Sequence, residues 1–305
     1  MRSFESVKLN SIELFCKAAE LGSFSAAAEQ LGLTPASVSR SIARMEERLG
    51  VRLFTRSTRN VRLTSEGNCY WQECQRALEQ IAEAERAITG NQKIPSGVLR
   101  ITVGTLYANY RLLPLLPSFQ AAYPQIELEV SLSSRNVDFA DEGFDLAIRL
   151  GEPPDSRLVA HKLEDASVGV FAAPAYLAQH GEPKTLAELQ QHDCLEFILP
   201  STGKPMPWLF KDAQGKAIEQ LIRGRMRVLD DAQGCISWGR AGGGIFQTYH
   251  FIANEMLQKG ELVEILQPYA GRSRVFHILY PQNRHLSARV RRFVDFMTNQ
   301  CQHRE

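Results

Sequence analysis

The sequence predicts an α/β protein with an α-rich head: a small helical unit closed by a β-hairpin, one long helix, and a larger body. Three observations predict it. Short alanine- and serine-rich helical patterns broken by glycines run from Leu14 to Gly50, and the arginine-rich stretch "GVRLFTRSTRNVRLT" follows. No proline interrupts "SEGNCYWQECQRALEQIAEAERAIT" at 65–89, which reads as a single helix. Beyond residue 98 strand-like and helical runs alternate, the pattern of parallel sheets covered by helices on both faces.

The head is justified element by element. Leu14, Phe15, Ala18 and Ala19 share one face of a first helix that ends near Gly22. Ser23 is placed to cap a second helix, in which Phe24, Ala27, Ala28 and Leu31 recur at helical spacing. Gly32 stops it, and Leu33 is expected to plug the corner. Thr34 caps a third helix, with Pro35 at its first position, where a missing N–H costs nothing. Val38, Ile42, Met45 and Leu49 form its apolar stripe, and Gly50 ends it. Two helices joined by a tight glycine turn make a helix-turn-helix pattern, and the small Ala27 and Ala28 let the third helix cross closely. At about 100° per residue, Ala36, Arg40 and Ala43 fall opposite the stripe, with Ser37 and Arg44 beside them. Such a small, hydroxylated and cationic face suits a DNA major groove; it equally fits a three-helix packing unit with a solvated arginine face.

"GVRLFTRSTRNVRLT" reads as two short strands around a turn at 57–60, a wing carrying Arg56, Arg59 and Arg62 for phosphates and the minor groove. Charge follows the same division. Residues 1–64 hold ten Lys/Arg against six Asp/Glu, net +4, and the rest hold 25 against 28, net −3. A basic head on a slightly acidic body suits nucleic acid better than membrane.

In this region the chain resembles the LysR-type transcriptional regulators. The matching residues are Phe15, Gly22, Ser23, Phe24, Ala27, Ala28, Leu31, Thr34, Val38, Ser39, Ile42, Glu46, Leu49, Gly50, Leu53, Phe54, Arg56, Arg59, Leu63, Thr64 and Gly67. Met45 stands for the usual leucine, a volume-conserving change. Pro35-Ala36 stands where many members have Gln-Pro, which removes one base-reading side chain. The resemblance implies double-stranded DNA as partner, with Ser23, Ser25, Thr34, Ala36, Ser37, Ser39, Arg40, Arg44, Arg56 and Arg59 as contact candidates.

Along the long helix Trp71, Cys74, Leu78, Ile81, Glu85 and Ile88 follow 3,4,3,4 spacing, a seam for a second helix or a stripe for packing within the chain. The resemblance implies the first, hence a homodimer or homotetramer reading an inverted repeat, with RNA polymerase as a further partner. "GNQKIPSG" at 90–97 reads as a hinge.

The body matches the family at "YPQIELEV", "EGFDLAIRLG", "AGGGI", "KGELVEIL" and "LSARVRRFVDF", the second motif marking the branch with "GFDLAIR". It implies a two-lobed effector domain like a periplasmic binding protein, with a cleft between the lobes for a small-molecule effector. The expected boundaries are 1–64 for the DNA-binding head, 65–89 for the linker helix and 90–97 for the hinge, then 98–161 with 267–305 for lobe I and 162–266 for lobe II. Thr105, Leu106 and Tyr107 leave a strand and open a helix; Ser133, Ser134 and Arg135 open the next; Arg149 ends the third strand. Free N–H groups, hydroxyls and arginines there suit an organic anion. Alternatively the serines only cap their helix and Arg149 pairs with Asp145 or Glu152. Phe197, Pro200 and Phe246, with Trp208 and Tyr249, are candidates for an apolar wall or for core.

No cofactor or metal is expected. The seven histidines are scattered and the six cysteines form no C-x-x-C pair, so neither a metal site nor a disulfide framework is indicated. Cys69 and Cys74 read as ordinary helix residues, and Cys194 and Cys235 as non-sensing. With no apolar run of membrane length and no signal-peptide h-region, the expected setting is the cytoplasm. The rivals are a solute-binding protein, which needs an export signal, and an enzyme using the cleft, which needs a catalytic set that does not emerge.

Overall fold

The computed structural model describes residues 9–56, 61–88, 95–135, 139–151, 157–282 and 286–302. The chain divides into two compact units, one through Lys93 and one from Ile94.

The first unit contains α1 (Leu9–Leu21), α2 (Phe24–Gln30), α3 (Pro35–Leu49), β1 (Phe54–Arg56), β2 (Val61–Leu63) and α4 (Ser65–Ile88). The caps are those the sequence promises. The Ser23 hydroxyl accepts from the Ala26 N–H at 3.3 Å and Thr34 from the Ser37 N–H at 3.2 Å, while Gly32 and Gly50 take φ of 65° and 71°, left-handed values that favour glycine. Phe15, Ala18, Ala27, Ala28, Val38, Ile42, Met45 and Leu53 fill the core.

Two expectations fail here. Leu33 is 45% exposed and Leu49 is 37% exposed. The Leu33 N–H bonds the Ala28 carbonyl at 2.8 Å, so its backbone closes the turn while its side chain faces water. On α3 the inward position after Met45 belongs to buried Glu46, not to Leu49. The tip of the wing, with Arg59, lies outside the described residues.

Thr64 starts α4. Its hydroxyl accepts from the Gly67 N–H at 2.8 Å and donates to the Arg52 carbonyl at 2.7 Å. A Cβ on Gly67 would stand 1.9 Å from the Leu53 carbonyl oxygen, so only glycine lets α4 run against the wing's base. The seam along α4 splits. Trp71, Cys74 and Leu78 turn into the head's own core, whereas Ile81 is 42% exposed and Glu85 faces solvent.

In the second unit, β3 (Gly97–Val103) leads into α5 (Thr105–Tyr107), an irregular helical stretch, and α6 (Leu116–Ala122). Pro114 and Pro117 remove two helix N–H donors from what the sequence suggests is one helix. β4 (Ile126–Leu132), α7 (Phe139–Glu142) and β5 (Leu146–Leu150) follow, then the 15-residue β6 (Leu158–Ala172) and α8 (Pro174–His180). After them come β7 (Leu195–Phe197), β8 (Trp208–Lys211), β9 (Ala217–Gln220), β10 (Met226–Val228), α9 (Gln233–Arg240), β11 (Phe246–Tyr249), α10 (His250–Gln258), β12 (Val263–Ile265), β13 (Ser273–Pro281) and α11 (Ala288–Gln302).

Strand order in the main sheet is β11-β6-β13-β5-β3-β4, with β12 also on β6. β3 pairs parallel with β4 and β5, as expected. The long strands depart from an all-parallel reading: β13 runs antiparallel to both β5 and β6, and β6 antiparallel to β11 and β12. They are crossing strands. The first part of β6 pairs along β13 and its end pairs with β11 and β12, so one sheet curls through two lobes. A separate core of Val170, Ala172, Tyr176, Trp208, Phe210, Ile245 and Ile265 belongs to the second lobe.

Gly67→Ala is expected to destabilise the first unit by about 1–3 kcal/mol through forced backbone displacement. Urea denaturation followed by Trp71 fluorescence measures it, and an unchanged midpoint would show that α4 does not need this approach.

Candidate nucleic-acid interface and effector cleft

The outward face of α3 is built as the helical projection requires. Ala36, Arg40, Ala43 and Arg44 are exposed, while Ser37 and Ser39 are half-buried. Ser37 donates its hydroxyl to the Thr34 carbonyl at 2.7 Å, and Arg40 Nε reaches the Ala36 carbonyl at 3.3 Å. Ser25 is exposed at the start of α2 and Ser23 is half-buried beneath its cap bond. β1 and β2 pair Phe54 with Leu63, Thr55 with Arg62 and Arg56 with Val61, which sets Arg56 at the end of the hairpin nearest the tip.

Glu46 holds this surface together. Its Oε1 accepts from the N–H groups of Leu53 at 2.8 Å and Phe54 at 3.1 Å, and Oε2 takes Arg52 Nη1 at 3.3 Å. Only 5% of its side chain is exposed. One carboxylate therefore joins α3 to the start of the β1–β2 hairpin. Sequence reasoning used Glu46 only as a matching residue; the signal available was an acid adjoining the apolar stripe, shortly before the arginine-rich stretch that begins at Gly50.

In the second unit the carboxyl ends of β3, β4 and β5 bring together part of the expected cleft. The Ser133 N–H bonds the Val103 carbonyl at 2.8 Å, and Gly104 lies close to Ser134: a Cβ there would stand 2.9 Å from Ser134 Oγ and force that side chain to shift. Arg149 reaches across this edge. Its Nη2 donates to Thr102 Oγ1 at 2.8 Å and to the Arg135 carbonyl at 3.2 Å, and Nη1 to the Ile148 carbonyl at 3.0 Å. Those partners are all neutral oxygens. Burial, then the neighbouring Arg135 charge, lowers the Arg149 pKa to about 10, against the opposing pull of Glu142.

The alternative pairing with Asp145 is not made: Asp145 accepts from the Arg100 N–H at 2.9 Å and from Arg289 at 3.3 Å. Glu152 lies outside the described residues. Arg135 pairs with Glu142 through both guanidinium nitrogens, one at 3.0 Å. Thr105 and Ser134 are half-buried beside this edge, and Leu106 packs on the core.

The aromatic candidates divide differently. Tyr107 and Phe246 are 1% exposed and belong to the core, Tyr107 stacking near Phe276 at 4.4 Å. Phe197, at the end of β7 opposite Val228 of β10, and Pro200 remain half-buried. Trp208 and Tyr249 are core residues. Sequence reasoning passed over Thr102, fully buried and the polar partner of Arg149. It also missed a cavity of about 400 Å³ lined by Lys162, Arg272, Arg274 and His277. His277 lies opposite both Arg149 and Lys162 in the strand register, a cross-strand row that no linear spacing reveals.

Comparison with known proteins decides the family. Residues 9–68 match the family model described as bacterial regulatory helix-turn-helix protein, lysR family, and 92–302 match the LysR substrate binding domain. The chain belongs to the LysR family of transcriptional regulators. This LysR-type regulator is 35% identical to the HTH-type transcriptional regulator CrgA of Neisseria meningitidis over 300 residues, 96% of this chain and 98% of the relative. It is likewise 35% identical to an HTH-type transcriptional repressor of Pseudomonas aeruginosa, covering 95% and 91%. The solved structure of CrgA overlays with a TM-score of 0.61 at 33% identity, covering 97% of this chain and 99% of that one. Full-length AphB, a virulence activator of Vibrio cholerae, gives 0.60 at 27% identity, with 97% and 100% covered. The regulator is thus a DNA-binding protein and not an enzyme. Among the described residues no helix is long and apolar enough to cross a membrane.

Removing the Glu46 carboxylate strands two buried N–H groups, so Glu46→Ala is expected to cost about 2–4 kcal/mol of head stability. Glu46→Gln keeps one acceptor oxygen and should cost less. Thermal denaturation of both variants checks the order; equal midpoints for both and the parent would remove Glu46 from this role.

Proposed function

We propose that this regulator reads an inverted-repeat operator with paired heads in the cytoplasm, and that an organic anion bound in the body sets its action. The observation that carries the first part is the exposed α3 face, on which Arg40 and Arg44 flank the flat surface of Ala36 and Ala43. A flat cationic helix face enters the major groove with side chains near base edges. Arg40 is assigned to bases, Arg44 and Arg56 to phosphates, with Ser25, Ser37, Ser39 and Thr34 positioning the helix, and Arg59 is assigned to the flanking backbone. Since Trp71, Cys74 and Leu78 serve the head's own core, pairing of two subunits falls to α4 from Ile81 onward. We assign 98–161 with 267–305 to one lobe and 162–266 to the other, with RNA polymerase as the further partner of the bound oligomer.

The second part rests on Arg149, a buried guanidinium whose described hydrogen bonds all go to neutral oxygens. A carboxylate placed there gains a charge-assisted bond where solvent screens poorly. Thr105 and Ser134 supply hydroxyls beside it; Arg135, tied to Glu142, contributes little.

Fluorescence anisotropy with DNA from upstream of the protein's own gene tests the head. Arg40→Ala should weaken specific binding about tenfold or more, while added salt weakens specific and random duplexes steeply. An Arg40→Ala protein that binds both duplexes like the parent would assign the reading face elsewhere. Titration calorimetry against a panel of small organic acids tests the body: Arg149→Met should weaken the best ligand about 10- to 100-fold, Arg135→Ala much less. Equal affinities in all three proteins would take these residues out of the site.

A further inference from the structure

Basic side chains gather along the two long crossing strands, and the acids beside them answer only part of their charge. Lys162 of β6, Arg272 and Arg274 at the start of β13, and His277 line one cavity of about 400 Å³. The β8–β9 hairpin closes another side with Leu209 and Glu219, which are partners across that hairpin. Such a volume holds one small molecule. Arg149 does not line this cavity. Its guanidinium reaches toward β3, to Thr102 and the Arg135 carbonyl, whereas the cavity lies over the end of β5, β13 and β6.

The partners of each cation can be named. Arg272 Nη2 stands 3.8 Å from Glu219, beyond hydrogen-bond reach. Arg272 Nη1 is buried with no hydrogen-bond partner among the described residues. Arg274 Nη2 donates to the Pro207 carbonyl, a neutral oxygen. Lys162 pairs with Asp165 at 2.5 Å, but both side chains are exposed, and solvent weakens such a bridge. His277 Nδ1 donates to the Gly151 carbonyl at 2.8 Å, so Nε2 of the neutral ring is an acceptor.

We propose that this cavity is a second ligand site, which takes a phosphate monoester of a small polyhydroxy compound. The phosphate lies against Arg272 and Arg274, with Lys162 beside them. A phosphate ester brings about two negative charges and three acceptor oxygens in one group, enough for two guanidinium forks at once. A carboxylate offers one charge and two oxygens. The hydroxyls of the ligand donate to Glu219 and to His277 Nε2, acceptors that an anion without hydroxyls cannot use. Leu150 and Leu209 give its carbon chain an apolar wall. This site does not rest on the organic-anion reading of Arg149.

Titration calorimetry on the full-length protein tests it, with inorganic phosphate, glycerol 3-phosphate, glucose 6-phosphate and free glucose as probes. At least one ester should bind at one per chain, inorganic phosphate more weakly, and glucose not at all. Arg272→Gln should weaken the bound ester about tenfold or more. Lys162→Glu, a change on an exposed side chain, should weaken it severalfold and keeps the test decisive should Arg272→Gln fold poorly. Arg149→Met should leave ester binding unchanged even where it abolishes binding of an organic acid, so the two sites fail separately. No binding of either ester, equal ester affinity in the parent, Arg272→Gln and Lys162→Glu, or a loss confined to Arg149→Met would overturn the proposal. Inorganic phosphate binding as tightly as the esters would overturn the assignment of ligand hydroxyls to Glu219 and His277.

Discussion

A buried carboxylate sets the geometry of the head. Glu46 sits on the inward side of α3, where an apolar residue would ordinarily stand, and satisfies two backbone N–H groups at the start of the wing. An unpaired buried amide costs about 1–3 kcal/mol, so the wing's first strand is constrained to begin where that carboxylate is. Gly67 adds the complementary constraint by letting α4 approach the Leu53 backbone from the other side. Between them these residues fix one strand against two helices. The proposed recognition of DNA by helix and wing together depends on that fixed relation, because a groove and its flanking phosphates are a fixed distance apart.

The body solves a different problem. A charge in its interior must be answered, and Arg149 is answered by dipoles: Thr102 Oγ1 and the carbonyls of Arg135 and Ile148. The arrangement keeps the guanidinium oriented with neutral oxygens as its described hydrogen-bond partners. The curled sheet makes this possible, since β6 and β13 cross from one lobe to the other and place both lobes' loops on a common frame. A ligand that binds two lobes joined by such strands has mechanical purchase on both, which is the physical basis for coupling occupancy to the state of the protein.

Much of this was legible in the chain itself, for identifiable reasons. Caps at Ser23 and Thr34, glycine stops at 32 and 50, and the 3.6-residue stripe on α3 are local features, so sequence spacing suffices to read them. What failed was long-range. Leu33 and Leu49 look like core because they are leucines at the right period, yet the turn backbone faces one outward and α3 gives its next inward place to Glu46. The α4 seam is regular in sequence, but its first part is claimed by the head's own core, which no periodicity distinguishes from a partner helix. Tyr107 and Phe246 read as cleft candidates from their place after or within strands and turn out to be core.

The central claim is that the outward face of α3 lies in the major groove. Photocross-linking from a benzophenone side chain placed at Ala36 measures this directly, with the same probe at Lys17 on α1 as comparison. The account predicts cross-links from position 36 to bases in two half-sites about 34–36 Å apart, and few from position 17. Cross-links of equal yield from both positions, or none from 36, would contradict it.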